Sequence, residues 1–251
     1  MKKKIGCEIA TIVLFAMLIW GINQWKICSD DFFYWCDAYI AVPCNSEYVL
    51  AITYFYEENP IDFSNISSLE FLDTHSSDIV SFDYFPIDGA KEYKSIGMEL
   101  NIHFSNPSIE EVERIRITFN DGSIKEYPIG TWAFDIGEQN NGALIDIWSS
   151  PVASSDSMRY PYFYCVDPKI SNISIQYGME DVVERSITDS LQVEGEVIIK
   201  SEAPLKLIKP KIVYRTNDGT NYTYGQICYC GALNVDEESI KKSKEFYINN
   251  I

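Results

Sequence analysis

An internal repeat constrains the fold of this chain more than any other feature of its sequence. The segment from Met98 to Gly122 aligns without gaps with the segment from Gly195 to Gly219, 97 positions later. A weaker third copy covers residues 49–73. Chance similarity between alternating strands is the competing explanation, but a shared proline and a shared Asn-Asp-Gly at fixed spacing favour duplication. The matched positions are Ile102 with Ile199, Pro107 with Pro204, Ile115 with Ile212, and Asp121-Gly122 with Asp218-Gly219.

The repeated unit predicts strands joined by tight turns. The stretches "ELNIHF" and "RIRITF" alternate apolar and polar residues, which is the period of a strand with one buried face. Asn-Asp-Gly supplies residues that tolerate positive φ in a hairpin turn. The prolines cannot donate a ladder hydrogen bond, so they mark the connection between strands. Short strands with frequent turn signals predict an all-β fold of antiparallel sandwiches.

A serine-rich stretch without periodicity, residues 149–159, suggests a linker between two domains. We expect one immunoglobulin-like β-sandwich over residues 30–148 and a second over residues 160–251. Near the C-terminus, acidic residues precede lysines, and three residues follow helical spacing, so a short closing helix is predicted. Those three residues are Ile240, Ser243 and Tyr247.

The N-terminal residues predict a membrane anchor. Three lysines within residues 1–4 precede an apolar segment at residues 5–25, which would span about 31 Å as a helix at ~1.5 Å per residue. A cleaved signal peptide is the alternative, but only Gly21 offers a small residue at the end of this segment. The positive-inside rule places the lysines in the cytoplasm and the body outside the cell membrane.

The charge of the chain argues against one class of partner. With 20 basic and 37 acidic residues, the formal net charge is −17. Such a surface repels phosphate backbones, so nucleic-acid binding is not expected. A solvated acidic exterior that prevents aggregation is the simplest explanation of the charge.

Six cysteines lie beyond the predicted anchor, and an even number in an exported body permits disulfides. Free thiols are the equally weighted alternative. A zinc site would need two more ligands than the pair in "QICYCG" provides, so burial of that pair on one strand face is favoured. The six candidates for disulfides are Cys28, Cys36, Cys44, Cys165, Cys228 and Cys230.

The sequence offers little for catalysis. His75 lies in a predicted turn and His103 alternates with apolar residues in a predicted strand, so neither is placed as a general base. We therefore expect no enzyme and no cofactor. One loop gathers oxygen ligands that suit calcium, although solvated turn residues explain them equally well. Its candidate ligands are Asp135, Glu138, Asn140 and Asp146.

Rows of tyrosine are the most suggestive feature for ligand binding. In an extended strand, the three tyrosines of "RYPYFYC" share one face, and so do the two of "NYTYG". Flat aromatic rows can stack on sugar rings, whereas cross-strand aromatic pairs that stabilise a sheet are commoner. A sugar platform requires the rings to be exposed. The five tyrosines are Tyr160, Tyr162, Tyr164, Tyr222 and Tyr224.

These observations predict a membrane-tethered extracellular module that acts by interaction and not by catalysis. Its partner would be an envelope protein or a glycan. One alternative is a carbohydrate- or peptidoglycan-binding module that uses the tyrosine rows. Another is an accessory or sensory subunit of a membrane complex, whose anchor helix would then have a partner.

Overall fold

A computed structural model describes residues 31–87, 93–138, 145–146, 153–187 and 191–251. Within these ranges the chain is mostly β-sheet and has a single α-helix, near its C-terminus, so the all-β prediction with a closing helix is confirmed. No helix in the described ranges is long and apolar enough to cross a membrane. The predicted anchor at residues 5–25, like Cys28, lies outside them.

The elements are named in chain order. The strands are β1 (Asp31–Phe33), β2 (Cys36–Pro43), β3 (Ser46–Tyr56), β4 (Ile66–Phe71), β5 (Ser77–Ile87), β6 (Lys94–Phe104), β7 (Ser108–Phe119), β8 (Ile124–Gly137), β9 (Ile145–Asp146), β10 (Ala153–Ser155), β11 (Arg159–Val166), β12 (Asn172–Gln176), β13 (Val182–Ser186), β14 (Gln192–Ile198), β15 (Leu205–Lys209), β16 (Lys211–Thr216), β17 (Gly219–Tyr224) and β18 (Cys228–Gly231). The helix is α1 (Glu237–Asn250), and Phe63–Asn65 forms one 3-10 turn.

The strands form four sheets. A central sheet of seven strands has the order β10-β18-β15-β2-β8-β7-β4. A four-stranded sheet has the order β1-β3-β6-β5. The remaining strands form a three-stranded sheet, β14-β11-β9, and a second four-stranded sheet, β13-β12-β16-β17.

The first hydrophobic core lies between the β1-β3-β6-β5 sheet and one face of the central sheet. Alternate residues of β3 and β6, such as Leu50 and Leu100, are fully buried, as the strand period requires. Rings from the two layers meet edge to face, with the centroids of Phe104 and Phe134 5.2 Å apart. Burial of each such large side chain contributes about 1.5–3 kcal/mol.

A second hydrophobic core lies on the opposite face of the central sheet. In β15, Leu207 faces the first core and its neighbour Ile208 faces the second. In β18, Tyr229 packs on the first core, whereas Cys228 and Cys230 face the second. Strands β15 and β18 therefore separate the two cores and belong to both.

This arrangement corrects the prediction of two separate domains. Strand β2, from the predicted domain 30–148, pairs with β15, from the predicted domain 160–251. The predicted linker at 149–159 contributes residues 153–155 to the central sheet as β10, which pairs with β18. The two sandwiches thus share one sheet, because strands that are distant in the sequence pair through backbone hydrogen bonds.

The sheets are also not purely antiparallel. Strand β2 runs parallel to both of its neighbours, β8 and β15, and β10 runs parallel to β18. Alternation of apolar residues shows which face of a strand is buried, but it does not show the direction of the neighbouring strand. The antiparallel prediction is therefore correct for most pairs and wrong for these three.

The second half of the repeat folds differently in its two full copies, because it forms one strand in the first copy and is divided between two sheets in the second. In the first copy, β7 and β8 pair along their whole length, with a register shift between Val112 and Arg114. The position between these two residues, Glu113, aligns with Pro210 in the second copy. There the chain leaves β15 in the central sheet and continues as β16 in another sheet. Because proline has no N–H to donate, it suits this change of sheet.

The predicted turns and helix are present. Gly122 and Gly219, the last residues of the two Asn-Asp-Gly triplets, have φ of +82° and +137°. Helix α1 begins with a capping box, in which Asp236 accepts from the N–H of Ser239. Ile240, Ser243 and Tyr247 are buried, as their helical spacing predicts.

Candidate binding cleft

The tyrosine row of β11 is buried, which overturns the prediction of an exposed sugar platform there. Tyr160, Tyr162 and Tyr164 share one face of the strand, as predicted, but that face points into the second core. Each ring is at most 5% exposed. The hydroxyls of Tyr160 and Tyr164 lie 2.8 Å apart, and burial raises the pKa of Tyr164 to about 12. These rings pack the core.

The second pair of predicted tyrosines meets part of the predicted calcium loop. The hydroxyls of Tyr222 and Tyr224 donate to the backbone carbonyl of Glu138 at 3.0 and 3.1 Å. Both rings are half-buried. They therefore anchor β17 to the end of β8, and their polar tips are already occupied.

The carboxylate predicted to bind calcium is paired with protein groups. Asp135 is buried and accepts from the hydroxyl of Tyr39 at 2.9 Å and from Nζ of Lys211 at 2.9 Å. Asn140 lies outside the described residues, and Asp146 is described only as a member of β9, opposite Cys165. Within the described part of the chain, no three acidic, histidine or cysteine side chains cluster to hold a metal.

A buried lysine beside this cluster was missed by the sequence analysis. Lys209 is 4% exposed, and its Nζ donates to the carbonyl of Gly225 at 2.7 Å. The same ammonium lies 4.8 Å from the ring centroid of Tyr48. Desolvation lowers its pKa to about 8. An isolated lysine at the end of a strand gives no sequence signal that it points inward.

The five cysteines in the described ranges are free thiols, so the predicted disulfides are not formed among them. Cys36, Cys44, Cys228 and Cys230 are buried, and Cys165 is half-buried. The Sγ atoms of Cys228 and Cys230 lie 3.6 Å apart on the shared strand face that their spacing predicts. The four buried thiols contribute to the two cores.

A surface cleft with an aromatic wall is the best candidate for a binding site. The rings of Trp35 and Phe246 are stacked, with centroids 4.4 Å apart and planes 8° apart, and both side chains are half-buried. They line a cleft of about 640 Å³, within the usual range of ~300–1,000 Å³ for ligand sites. This aromatic cleft is lined by Trp35, Asp37, Thr131, Ile199, Lys200, Ser201, Glu202 and Phe246.

The carboxylate of Asp37 links three parts of the aromatic cleft by hydrogen bonds. Oδ1 of Asp37 accepts from Nε1 of Trp35 at 3.2 Å and from the backbone N–H of Thr131 at 3.1 Å. Oδ2 accepts from the hydroxyl of Ser201 at 2.9 Å. The backbone N–H of Trp35 donates to the hydroxyl of Ser243 in α1 at 3.0 Å. The indole is therefore oriented by Asp37 and by its stacking on Phe246, and Ser243 of α1 holds the backbone of Trp35.

A second cleft adjoins the first. It has a volume of about 540 Å³ and shares Ser201 and Glu202 with the aromatic cleft. Helix α1 contributes Lys242 to this helix-end cleft and Phe246 to the aromatic cleft. Because residues four apart lie on one helix face, the two clefts follow each other along α1.

The sequence contained only part of the signal for this site. The stretch "DDFFYWCDAY" is rich in aromatic residues, and two interpretations of it are a membrane-surface contact or the first strand. The structure places β1 at its start and Trp35 between β1 and β2. The stacking partner, Phe246, lies in the C-terminal helix, so no local pattern links the two rings.

No protein-family model matches the sequence, and no curated protein matches it. Fibronectin(III)-like modules of Clostridium thermocellum CbhA are 11% identical, with a TM-score of 0.26 over 80% of this chain and 93% of that chain. The tandem Ig repeats of Dlar are 10% identical, with a TM-score of 0.22 over 80% and 97%. Bacteroides ovatus SGBP-B, solved with a mixed-linkage heptasaccharide, is 12% identical, with a TM-score of 0.21 over 76% and 42%. Similarity this weak supports no conclusion about function.

Proposed function

We propose that this protein is a non-catalytic binding module, tethered to the outer face of a cell membrane, that holds its ligand in the aromatic cleft. The stacked pair of Trp35 and Phe246 carries the proposal. Large rings that remain partly exposed at a concave surface lose part of the burial energy that a core position would supply. Such a cost is expected where a ligand completes the burial.

The preorganisation of the cleft supports this function. Asp37 fixes the indole of Trp35 through Nε1, and the same carboxylate fixes the neighbouring backbone of Thr131. Because the aromatic side chains are already ordered, binding of a ligand does not carry the entropy cost of ordering them. The cleft is thus suited to binding without rearrangement.

The chemistry of the lining supports binding over catalysis. The hydroxyl of Ser201 donates to the carboxylate of Asp37 and accepts from the backbone N–H of Ala203, so its hydrogen bonds hold the cleft in shape. Neither His75 nor His103 lines the cleft in the described ranges. The carboxylate of Asp37 is already engaged by three donors that orient the wall.

The tether at residues 5–25 rests on the lysines that precede an apolar segment of spanning length. We expect protease added to intact spheroplasts to digest the body of the protein and to leave a short membrane-protected fragment. Survival of the body until the cells are lysed would contradict this orientation. Recovery of a soluble body that begins near Ile22 would show cleavage in place of anchoring.

Binding at the aromatic cleft is tested by sedimentation of the full-length protein, in detergent, with envelope material from the cells that produce it. Trp35→Ala removes the indole and should weaken retention at least about tenfold, as is typical for a central aromatic contact. Phe85→Ala is the matched control, because Phe85 is an exposed ring on β5, at the opposite edge of its sheet from β1. Equal retention of the two variants would refute the site.

A further inference from the structure

The geometry of the aromatic cleft points to a neutral carbohydrate chain as its ligand; this inference rests on the function proposed above and names the ligand class. Its first support is the flat wall. The rings of Trp35 and Phe246 are stacked face to face as one rigid slab, with centroids 4.4 Å apart and planes 8° apart, and each ring keeps one face that the other does not cover. A pyranose ring presents a flat face of C–H groups that matches an aromatic surface, and its rim of hydroxyls stays in contact with polar groups.

The polar groups around the slab suit hydroxyls. Thr131 and Ser201 each bring a hydroxyl, Lys200 brings only donors, and Glu202 brings only acceptors. A sugar hydroxyl both donates and accepts, so it can satisfy all three kinds of group. The hydroxyl of Ser201 already donates to Asp37, whereas the side chains of Thr131, Lys200 and Glu202 are exposed and open to a ligand. The lining therefore suits a ligand with many hydroxyls.

The charge of the site argues against anionic glycans. The aromatic cleft carries two carboxylates, on Asp37 and Glu202, and one ammonium, on Lys200. The whole chain has a formal net charge of −17. A polymer of uronic acids, sulfates or phosphates would be repelled by this surface. A neutral sugar avoids that repulsion and forms its contacts through stacking and hydrogen bonds.

The adjoining helix-end cleft indicates a chain of sugars and not a single ring. Glu238, Lys242 and Phe246 recur every four residues on one face of α1, a distance of about 12 Å along the helix. Glu238 and Lys242 form an ion pair of 3.2 Å, whereas Asp156 and Asp236 leave the helix-end cleft net negative, which again disfavours an anionic chain. A ligand that stacks on Trp35 can continue along this face over Ser201 and Glu202.

The test uses the same sedimentation assay with the full-length protein, after two treatments of the envelope material. Periodate cleaves the vicinal diols of sugars, whereas a broad-specificity protease removes polypeptide. We expect periodate to lower the retention that depends on Trp35 at least tenfold and protease to leave that retention within twofold. Raising the salt from about 0.05 M to about 0.5 M should change it by less than twofold, because a neutral ligand has no charge to screen.

Failure of this inference is distinguishable from failure of the proposed function. Retention that resists periodate, disappears after protease and falls steeply with salt would identify a charged protein segment and overturn the carbohydrate assignment. Retention that resists both treatments would overturn it as well. In either case a loss of retention in Trp35→Ala would still support the proposed site. To exclude unfolding, Trp35→Phe should keep the circular dichroism spectrum and recover part of the binding.

Discussion

Replacing Gly130 with alanine should destabilise the protein by about 4 kcal/mol or more, the range of severe single substitutions. Gly130 lies in β8 with φ of +118°, a conformation that side chains rarely adopt. A Cβ there would lie 2.8 Å from the carbonyl carbon of Cys36 and closer still to its oxygen. The parallel pairing of β2 with β8 would have to open to accommodate it. Thermal unfolding should show a Tm lowered by roughly 8–16 °C.

Gly122→Ala is the matched control for this substitution. Gly122 also has a positive φ, +82°, but nothing lies within 4 Å of the position that its Cβ would occupy. Only the backbone strain remains, so the expected cost is about 1–2 kcal/mol. Equal losses in the two variants would show that strain alone, and not the contact between β2 and β8, explains the result. The same pairing positions Asp37 in the aromatic cleft, so Gly130→Ala should also weaken binding.

The second large effect concerns the shared sheet. Expressed alone, neither residues 26–150 nor residues 151–251 should fold cooperatively. The first fragment would lack β15, the parallel partner of β2, and also lack Tyr247, which stacks on Tyr127 of the first core at 6.0 Å. The second would expose the face of β15 that Leu207 turns toward the first core. Each fragment would leave a sheet edge and an apolar face uncovered.

The measurement is far-ultraviolet circular dichroism with urea unfolding of each fragment and of an equimolar mixture. We expect flat unfolding curves for the separate fragments and a recovered strand signal in the mixture. A cooperative transition of either fragment alone, with a midpoint near that of the intact protein, would contradict the shared-sheet arrangement. It would restore the prediction of two independent sandwiches.

Local features of the fold could be predicted from the sequence because their causes are local. The Asn-Asp-Gly turns, the alternating strands of the repeat and the face of α1 that carries Ile240 and Tyr247 all follow from neighbouring residues. The same logic correctly put the three tyrosines of β11 on one face. It could not show whether that face meets solvent or the second core, because both are compatible with alternation.

Features that join distant segments could not be predicted. The pairing of β2 with β15 depends on ladders between backbones, which leave no residue pattern in either strand. Trp35 and Phe246 stack only because β1 and α1 both contact the first core. The inward position of Lys209 depends on Gly225 and Tyr48, which lie far from each other in sequence. For these features the three-dimensional contacts are the only signal.

The central claim is that Trp35 contacts the ligand, and ¹⁹F NMR of the full-length protein labelled with 5-fluorotryptophan tests it most directly. The resonance of Trp35, assigned with Trp35→Phe, should shift or broaden when glycans released from the envelope are added. Trp132 is an internal control, because its indole is buried and donates to the carbonyl of Cys36 at 2.7 Å. Its resonance should stay unchanged. Binding that leaves the Trp35 resonance unchanged would contradict the account.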